Sequence, residues 1–298
     1  MEELDLVILG SGPGGYVAAV RAAQWGLRTV IVEKENWLGG TCLNVGCIPT
    51  KALLFNAEVM EFVNHAKDFG IQCGPATFNW DVVRERQMKV VQKHNKGVEY
   101  LLKKNKVETV RGYGRLLGKG RVGVESASGN RELLARNIIL ATGSEARVPP
   151  GMEPDGKLVL TNREILQTKS VPKSLVIIGA GAVGVEFASV YKRFGTEVTV
   201  VEMLPRILPL ADEEVSKELQ RVLKKQGILF ITGAKVDKLN RLQDSVEVEI
   251  AVGEKKEVLK AEQVLVAVGR RPNTENVGLE KTKAEVERGY VKTDGYMA

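Results

Sequence analysis

Residues 7–33 read VILGSGPGGYVAAVRAAQWGLRTVIVE, and residues 176–202 read VIIGAGAVGVEFASVYKRFGTEVTVVE. The two stretches share Val7/Val176, Ile8/Ile177, Gly10/Gly179, Gly12/Gly181, Gly15/Gly184, Ala19/Ala188, Gly26/Gly195, Val32/Val201 and Glu33/Glu202, nine of 27 positions. Each parses as strand, glycine turn, helix, strand. In the first copy the apolar run Leu6–Leu9 precedes Gly10-x-Gly12-x-x-Gly15, an alanine-rich helix follows, and Thr29–Val32 forms the next strand. The three glycines have separate tasks: a tight turn, close approach of backbone to a pyrophosphate, and close packing of helix on strand. The helix N-terminus then offers unpaired N–H groups and a positive dipole end to the phosphates. Glu33 and Glu202 each fall 23 residues after the first glycine of their motif. A carboxylate there, at the end of the second strand, can bind an adenosine ribose. One glycine motif is weak evidence, because such turns also arise for structural reasons alone. Here strand, helix and terminal Glu all recur, which points to two dinucleotide sites, most economically one flavin and one nicotinamide.

Between the copies the pattern changes. Residues 57–69 and 82–104 show helical periodicity, the second stretch ending in a solvated Lys-Lys-Asn-Lys run. Residues 107–135 hold short alternating segments with glycine at 112, 114, 118, 120, 123 and 129, which reads as a small antiparallel meander. The strand-like run 137–140 leads into Ala141-Thr142-Gly143, and a similar run, 263–268, leads into Gly269-Arg-Arg-Pro-Asn273. Pro149, Pro150 and Pro154 with Gly151 and Gly156 mark a linker. The expected fold is α/β, with two Rossmann-like dinucleotide-binding domains and a small antiparallel meander in each. Their expected bounds are 1–147 and 148–272, with 273–298 returning to the first.

Bulk properties narrow the function. The 298 residues are 44% hydrophobic and 27% charged, ordinary for a globular chain with room for two domains. The longest apolar runs, such as 174–178 and 264–268, fall far short of the roughly 20 residues of a membrane helix. The opening Met-Glu-Glu-Leu-Asp is unlike a secretory signal or an arginine-rich transit peptide, so the expected setting is cytoplasmic. The net charge of +6 is dispersed among 37 acidic residues, without a basic arm or an aromatic-basic interleave, which argues against a nucleic-acid partner.

Residues 39–51 read GGTCLNVGCIPTK, with Cys42 and Cys47 five positions apart. On a regular helix five rises of about 1.5 Å would separate their Cα atoms by roughly 7.5 Å, beyond the roughly 4.4–6.8 Å of a disulfide. A bridge would therefore need an irregular backbone, which Gly46 and Pro49 permit. Two other readings stand beside it. Free cysteines pack well as small hydrophobes, and thiols bind metal, although zinc sites use tighter spacings and four ligands. Cys73, in an Ile-Gln-Cys-Gly turn, reads as structural. Lys51 and Glu186, each taken alone, read as solvated helix residues.

The string LGGTCLNVGCIPTK, with GSGPGGYVAA before it and GAGAVGVEFA and VVE after it, closely resembles the dihydrolipoyl dehydrogenase family. That family is a branch of the flavoprotein pyridine nucleotide-disulfide oxidoreductases, with glutathione and mercuric reductases as relatives. The likeness runs from Asp5 to about Gly295, and Leu43 and Ile48 favour the lipoamide branch, since the relatives more often carry Val there. It implies FAD and NAD as cofactors and oxidation of protein-bound dihydrolipoamide by NAD⁺. It also implies a redox disulfide of Cys42, the interchange thiol, with Cys47, the flavin-facing one. Lys51 would lie by the flavin's reactive nitrogen, paired with Glu186. The FAD site would draw on Gly10, Gly12, Gly14, Gly15, Glu33, Lys34, Gly40, Thr41, Gly114, Thr142, Gly143 and Ser144. The NAD site would draw on Gly179, Gly181, Val183, Gly184, Glu186, Glu202, Val236 and Gly269. Glu202 favours NAD over NADP, because a carboxylate accepts from a ribose 2′-hydroxyl and repels a 2′-phosphate, although Arg206 is nearby. No metal is implied.

Family members continue past the equivalent of Ala298 with a further FAD-contacting segment and an interface domain. That domain forms the homodimer and supplies a catalytic His; neither His65 nor His94 fits this role. The expectation is a C-terminally truncated chain whose own turnover is low. The implied partner is the lipoyl-bearing acyltransferase of a 2-oxoacid dehydrogenase complex. The alternatives are another disulfide reductase, of mercuric or glutathione type, or a catalytically incomplete fragment that binds FAD and NAD.

Overall fold

The computed structural model describes residues 3–298. In chain order the first half forms β1 (Leu4–Leu9), α1 (Pro13–Gln24), β2 (Thr29–Glu33), α2 (Gly40–Val45), α3 (Cys47–Asn64) and α4 (Trp80–Lys104). Strands β3 (Glu108–Arg111), β4 (Tyr113–Gly118), β5 (Arg121–Glu125), β6 (Arg131–Leu140) and β7 (Ser144–Ala146) come next. The second half begins with β8 (Val159–Leu160), α5 (Asn162–Ile165), β9 (Ser174–Ile178), α6 (Ala182–Arg193), β10 (Glu197–Glu202) and α7 (Glu213–Lys225). It continues with β11 (Leu229–Thr232), β12 (Ala234–Arg241), β13 (Val246–Val252), β14 (Lys255–Ala261), β15 (Gln263–Val266) and β16 (Arg270–Pro272). The chain divides into two compact units. One gathers residues 3–48, 90–145 and 271–298, the other residues 49–89 and 146–270.

The first unit is built on a six-stranded sheet in the order β3-β2-β1-β6-β5-β4. Strands β3, β2, β1 and β6 pair in parallel, and β6, β5 and β4 pair antiparallel. Successive side chains on a strand face opposite ways, and β1 uses both faces. Leu6 and Ile8 pack with Ala19 and Ala22 of α1 and with Val98 and Leu102 of α4. Val7 and Leu9 pack with Leu116, Val122, Val124 and Leu133 of the antiparallel strands. Burial on both faces is why β1 reads as an unbroken apolar run from Leu6 to Leu9. The meander expected over 107–135 is real for β4, β5 and the start of β6. However, β3 pairs parallel to β2, and β6 runs on to residue 140 as the neighbour of β1. The meander and the parallel sheet therefore share a strand.

The second unit has a parallel sheet in the order β11-β10-β9-β15-β8 and an antiparallel sheet β12-β13-β14. One face of the parallel sheet, with Val176, Ile178, Val201, Val264 and Val266, packs against Leu239, Val246, Val248 and Ile250 of the antiparallel sheet. Residues 49–89 group with this unit, held in part by one aromatic anchor. Trp80 is buried, with its ring 5.2 Å from Phe194 and 6.1 Å from Tyr191, and its indole N–H donates to the Thr168 carbonyl at 3.0 Å. Helical periodicity over 82–104 carries no information about which partner the N-terminal end of α4 packs on. The helix read over 57–69 starts earlier, at Cys47, and ends at Asn64, with a 3₁₀ turn at Ala66–Phe69.

Candidate active site

The two glycine turns are the same object built twice. The Gly10 N–H donates to the Val32 carbonyl, and the Gly179 N–H to that of Val201, both at 2.8 Å. Gly10 and Gly179 sit at φ of +102° and +104°, a region that L side chains rarely adopt. A Cβ on either would run into a backbone carbonyl, that of Ala141 for Gly10 and of Ala267 for Gly179. Ala141 and Ala267 in turn donate their N–H groups to Leu9 and Ile178, again both at 2.8 Å. Gly15 and Gly184 leave room for the turn's own carbonyl. The helices then bury matching faces: Gly15, Ala19 and Ala22 of α1, and Gly184, Ala188 and Tyr191 of α6.

Gly12, Gly14 and Gly181 are different. A Cβ at Gly12 would come no closer than 3.8 Å to any protein atom considered, and one at Gly14 or Gly181 would meet nothing within 4 Å. Protein packing does not explain glycine there; the open space suits backbone approached closely by a ligand. Helices α1 and α6 begin without a side-chain cap and without an acidic residue in the first turn. Helix α7, by contrast, is capped by Asp212 and carries Glu213 and Glu214 in its first turn. Unpaired N–H groups and a positive dipole end favour an anion. Beside each turn lies a buried carboxylate. Glu33 (6% exposed) accepts from the N–H of Ser11 and of Glu35, both at 2.9 Å, and from the Ser11 hydroxyl at 2.6 Å. Glu202 (9% exposed) accepts from the N–H of Ala180 at 2.7 Å and of Leu204 at 2.9 Å. The donor sets and open glycine backbones fit a dinucleotide at each turn.

The other residues singled out by sequence differ in their surroundings. Gly40, at φ +63°, presses its backbone against Gly12, where a Cβ would overlap. The Thr41 hydroxyl donates to the Ser144 carbonyl at 3.4 Å. The carbonyls of Thr142 and Gly143 accept from the side chain and backbone of Asn273, at 2.9 and 3.0 Å. Gly114 is glycine for a packing reason, since a Cβ would come within 2.7 Å of Leu9. In the second unit Gly269, at φ +117°, accepts the Arg147 N–H. Val236 sits in β12 against the core. Lys34 is exposed and Val183 half-buried.

Cys42 and Cys47 are joined by a disulfide with Cα atoms 4.7 Å apart. The irregularity this needs is at Gly46 alone. α2 stops at Val45 and α3 starts at Cys47, with Gly46 between them at φ −148°, ψ −120°. Pro49 is buried within the first turn of α3, where a missing N–H costs nothing. Cys73 is an exposed free thiol rather than a packed one. Among the described residues no group of three or more His, Cys, Asp or Glu gathers to hold a metal.

Lys51 lies one turn beyond Cys47 on α3. In the second unit its Nζ donates to Glu186 Oε1 of α6. Near the other end of the same two helices Arg193 Nε pairs with Glu61 Oε2 at 2.6 Å, and Gln226 of α7 donates to Glu61 at 3.3 Å. α3 and α6 therefore run side by side in one direction, pinned at both ends.

A chain with two glycine-turn cradles and a short-spaced disulfide has counterparts. A model of the pyridine nucleotide-disulphide oxidoreductase family matches residues 4–298. The chain belongs to that family. Among curated relatives it is 46% identical to the dihydrolipoyl dehydrogenase of Bacillus subtilis, over 98% of this chain and 64% of that protein. It is 45% identical to the dihydrolipoyl dehydrogenase of Mycobacterium leprae, over 94% of this chain and 61% of that protein. The chain thus spans less than two thirds of the length of these relatives. Among solved structures it superimposes on LpdA of Mycobacterium tuberculosis with a TM-score of 0.90 at 26% identity, over 98% of this chain and 64% of that one. It superimposes on the HOCl-induced flavoprotein disulfide reductase RclA of Escherichia coli with a TM-score of 0.83 at 27% identity, over 97% of this chain and 62% of that one.

In this member of the family, nothing in the sequence marks the residues that hold the start of α2. The Asn44 side chain donates to the carbonyls of Leu38 at 2.7 Å and Gly40 at 3.0 Å. Asn95, from α4, donates to the Leu38 carbonyl at 2.8 Å and to Asn44 Oδ1 at 2.7 Å. Asn44 lies inside the quoted motif, but nothing in the order of residues pairs it with Asn95. Ser11 is likewise buried and bonded to Glu33.

Proposed function

We propose that this chain carries the redox disulfide and the FAD and NAD cradles of a disulfide oxidoreductase of the dihydrolipoyl dehydrogenase type. The observation that carries it is the Cys42–Cys47 disulfide at the head of α3, one helical turn before Lys51 and its partner Glu186. On this reading residues 1–147 bind FAD through the Gly10–Gly15 turn and Glu33, residues 148–272 bind NAD through the Gly179–Gly184 turn and Glu202, and residues 273–298 return to the first domain. When bound, the flavin supplies two-electron transfer between the cysteine pair and nicotinamide.

The chain's own chemistry is thiol–disulfide exchange. A thiolate of a substrate dithiol attacks Cys42 Sγ, breaking the Cys42–Cys47 bond and releasing Cys47 as thiolate. The second substrate thiol then attacks its mixed-disulfide sulfur and releases Cys42. The substrate leaves as a disulfide, and the cysteine pair has gained two electrons and, once neutral, two protons. A nearby cation favours the thiolate form, and Lys51 is the cation one turn away. The partner on this reading is a lipoyl-bearing acyltransferase of a 2-oxoacid dehydrogenase complex, met in the cytoplasm by a homodimer. No helix among the described residues is long and apolar enough to cross a membrane. The second reading, another flavoprotein disulfide reductase, is favoured by the likeness to RclA.

Thiol counting under denaturing conditions tests the disulfide: the oxidised protein should show one free thiol and the reduced protein three. Reduction of the pair by dihydrolipoamide but not by glutathione supports the lipoamide reading; the opposite preference supports the second.

A further inference from the structure

The equivalence of the two cradles continues past the glycine motif, and then fails at one atom. Glu35 and Leu204 both donate their N–H to the carboxylate two residues earlier. Gly39 and Leu208, at matching positions 169 residues apart, donate their N–H groups to the carbonyls of Ser11 and Ala180, at 3.0 and 2.9 Å. Ser11 and Ala180 therefore occupy one structural position, each with its own N–H on the neighbouring carboxylate. The difference is the Ser11 hydroxyl. It is wholly buried, donates to Glu33 Oε2 at 2.6 Å, and accepts the Gly39 N–H at 3.3 Å. Gly39 is the N-cap residue of α2, the helix that carries Cys42.

We propose that Ser11 is a positioning residue for the adenosine ribose at the first cradle, orienting Glu33 and tying it to the start of α2, the helix that carries Cys42. With Oε2 held by two donors and Oε1 by one, the Glu33 carboxylate is fixed before a ligand arrives, and Oε1 keeps a lone pair for a ribose hydroxyl. At the second cradle each oxygen of Glu202 has a single backbone donor, and Ala180 adds none. Preorganisation of this kind strengthens binding by removing the cost of ordering the group. This role of Ser11 rests on the reading of the first turn as a dinucleotide site.

The test is a double-mutant cycle on FAD affinity, read by flavin absorbance titration of the apoprotein, with Ser11→Ala and Glu33→Gln. Ser11→Ala should fold, because Ala180 fills the same position with the same backbone bonds. It should weaken FAD binding about tenfold, the order expected when a hydrogen bond to a charged acceptor is lost. NAD affinity should stay unchanged. In the Glu33→Gln background the same substitution should cost much less, since the hydroxyl acts through that carboxylate. Unchanged FAD affinity in Ser11→Ala, or equal losses in both backgrounds, overturns the proposal. Failure of the unsubstituted protein to bind FAD at all overturns the dinucleotide reading of the first cradle, and this inference with it.

Discussion

Gly46 shows how much one residue can decide. A Cβ at this position would approach the Thr41 carbonyl oxygen to 2.9 Å and Cys42 Cα to 3.2 Å. Both atoms are backbone, so neither can swing away. The break between α2 and α3 is what brings the two Cα atoms to 4.7 Å. Gly46→Ala should therefore cost about 1–3 kcal/mol, the order of forcing extra atoms into a packed site. It should also raise the fraction of reduced Cys42 and Cys47 at a fixed glutathione ratio. Chemical denaturation and thiol counting check the two parts, and an alanine variant as stable and as readily oxidised as the parent would contradict them. The cysteine bridge was legible only through the family resemblance, because spacing said no more than that a bridge needs an irregular backbone and left packed thiols and a metal site open. Which residue supplied the irregularity was not legible. Gly46 and Pro49 both allow a break, and only the packing of Pro49 inside α3 separates them. Ser11 was less legible still, since a serine in a glycine turn looks the same whether its hydroxyl meets solvent or a buried carboxylate.

At the scale of elements, the proline-rich linker illustrates local chemistry that composition reveals only in part. Pro149, Pro150 and Pro154 announce the turn, but Asp155 holds it. Its Oδ1 accepts from the N–H groups of Lys157 at 2.9 Å, Leu158 at 2.7 Å and Val159 at 3.0 Å, and Arg241 Nε donates to its Oδ2 at 3.2 Å. Partial burial pushes the carboxyl up, but the three backbone donors, aided by Arg241, outweigh it and hold the group below its ordinary 3.8. That direction sets the sign of the pH effect. A carboxyl depressed by folding contributes stability that is fully present above the unfolded value and is lost as pH falls through the folded one. Asp155→Ala should cost about 1–3 kcal/mol at neutral pH through the donors it strands. The gap to the parent should shrink only below the ordinary value of 3.8, as urea unfolding at pH 7 and pH 3 would reveal; a gap independent of pH would refute the assignment. The helix at 80–104 kept closely to its periodicity, whereas the one read over 57–69 runs from Cys47 to Asn64 and β3 left the meander for the parallel sheet. The segment 49–89 did not reveal its partner, because Trp80 could pack on either unit and its contacts with Tyr191 and Phe194 are long-range. Trp80→Ala should lower stability by about 3–5 kcal/mol, the usual loss on emptying a buried aromatic site, measured by the same unfolding. A loss below 1 kcal/mol would mean that Trp80 does not anchor this segment.

On the scale of the whole chain, one βαβ design is used twice and specialised by the segment that leaves its second strand. After Glu33 the chain turns through Gly39 into the cysteine helix; after Glu202 it turns through Leu208 into the capped helix α7. The glycines and the terminal carboxylates were legible because the repeat compares the chain with itself; the carbonyls of Ala141 and Ala267, which lie outside the repeat, were not. Residues that differ between copies, Ser11 against Ala180 above all, carried no signal until their surroundings were seen. The duplication yields a prediction that neither copy yields alone. Glu33 and Glu202 belong to different units, each held by donors of its own turn. Glu33→Ala should weaken FAD binding by about tenfold to a hundredfold, the consequence of stranding ribose hydroxyls and turn donors together, while leaving the NAD dissociation constant within about twofold. Glu202→Ala should do the reverse. It should also narrow the preference for NAD over NADP, because the carboxylate that repels a 2′-phosphate is gone. Arg206 should not supply a substitute. Its guanidinium donates to the Pro209 carbonyl at 3.0 Å and lies 3.7 Å from Glu213, so NADP affinity should rise by less than about tenfold, short of what a free bidentate arginine adds. Calorimetric titration of FAD, NAD and NADP into the parent and both variants measures all six changes. Loss of both FAD and NAD binding in either variant would show that the two carboxylates do not serve separate cradles, and the reading of the repeat as two dinucleotide sites would fall.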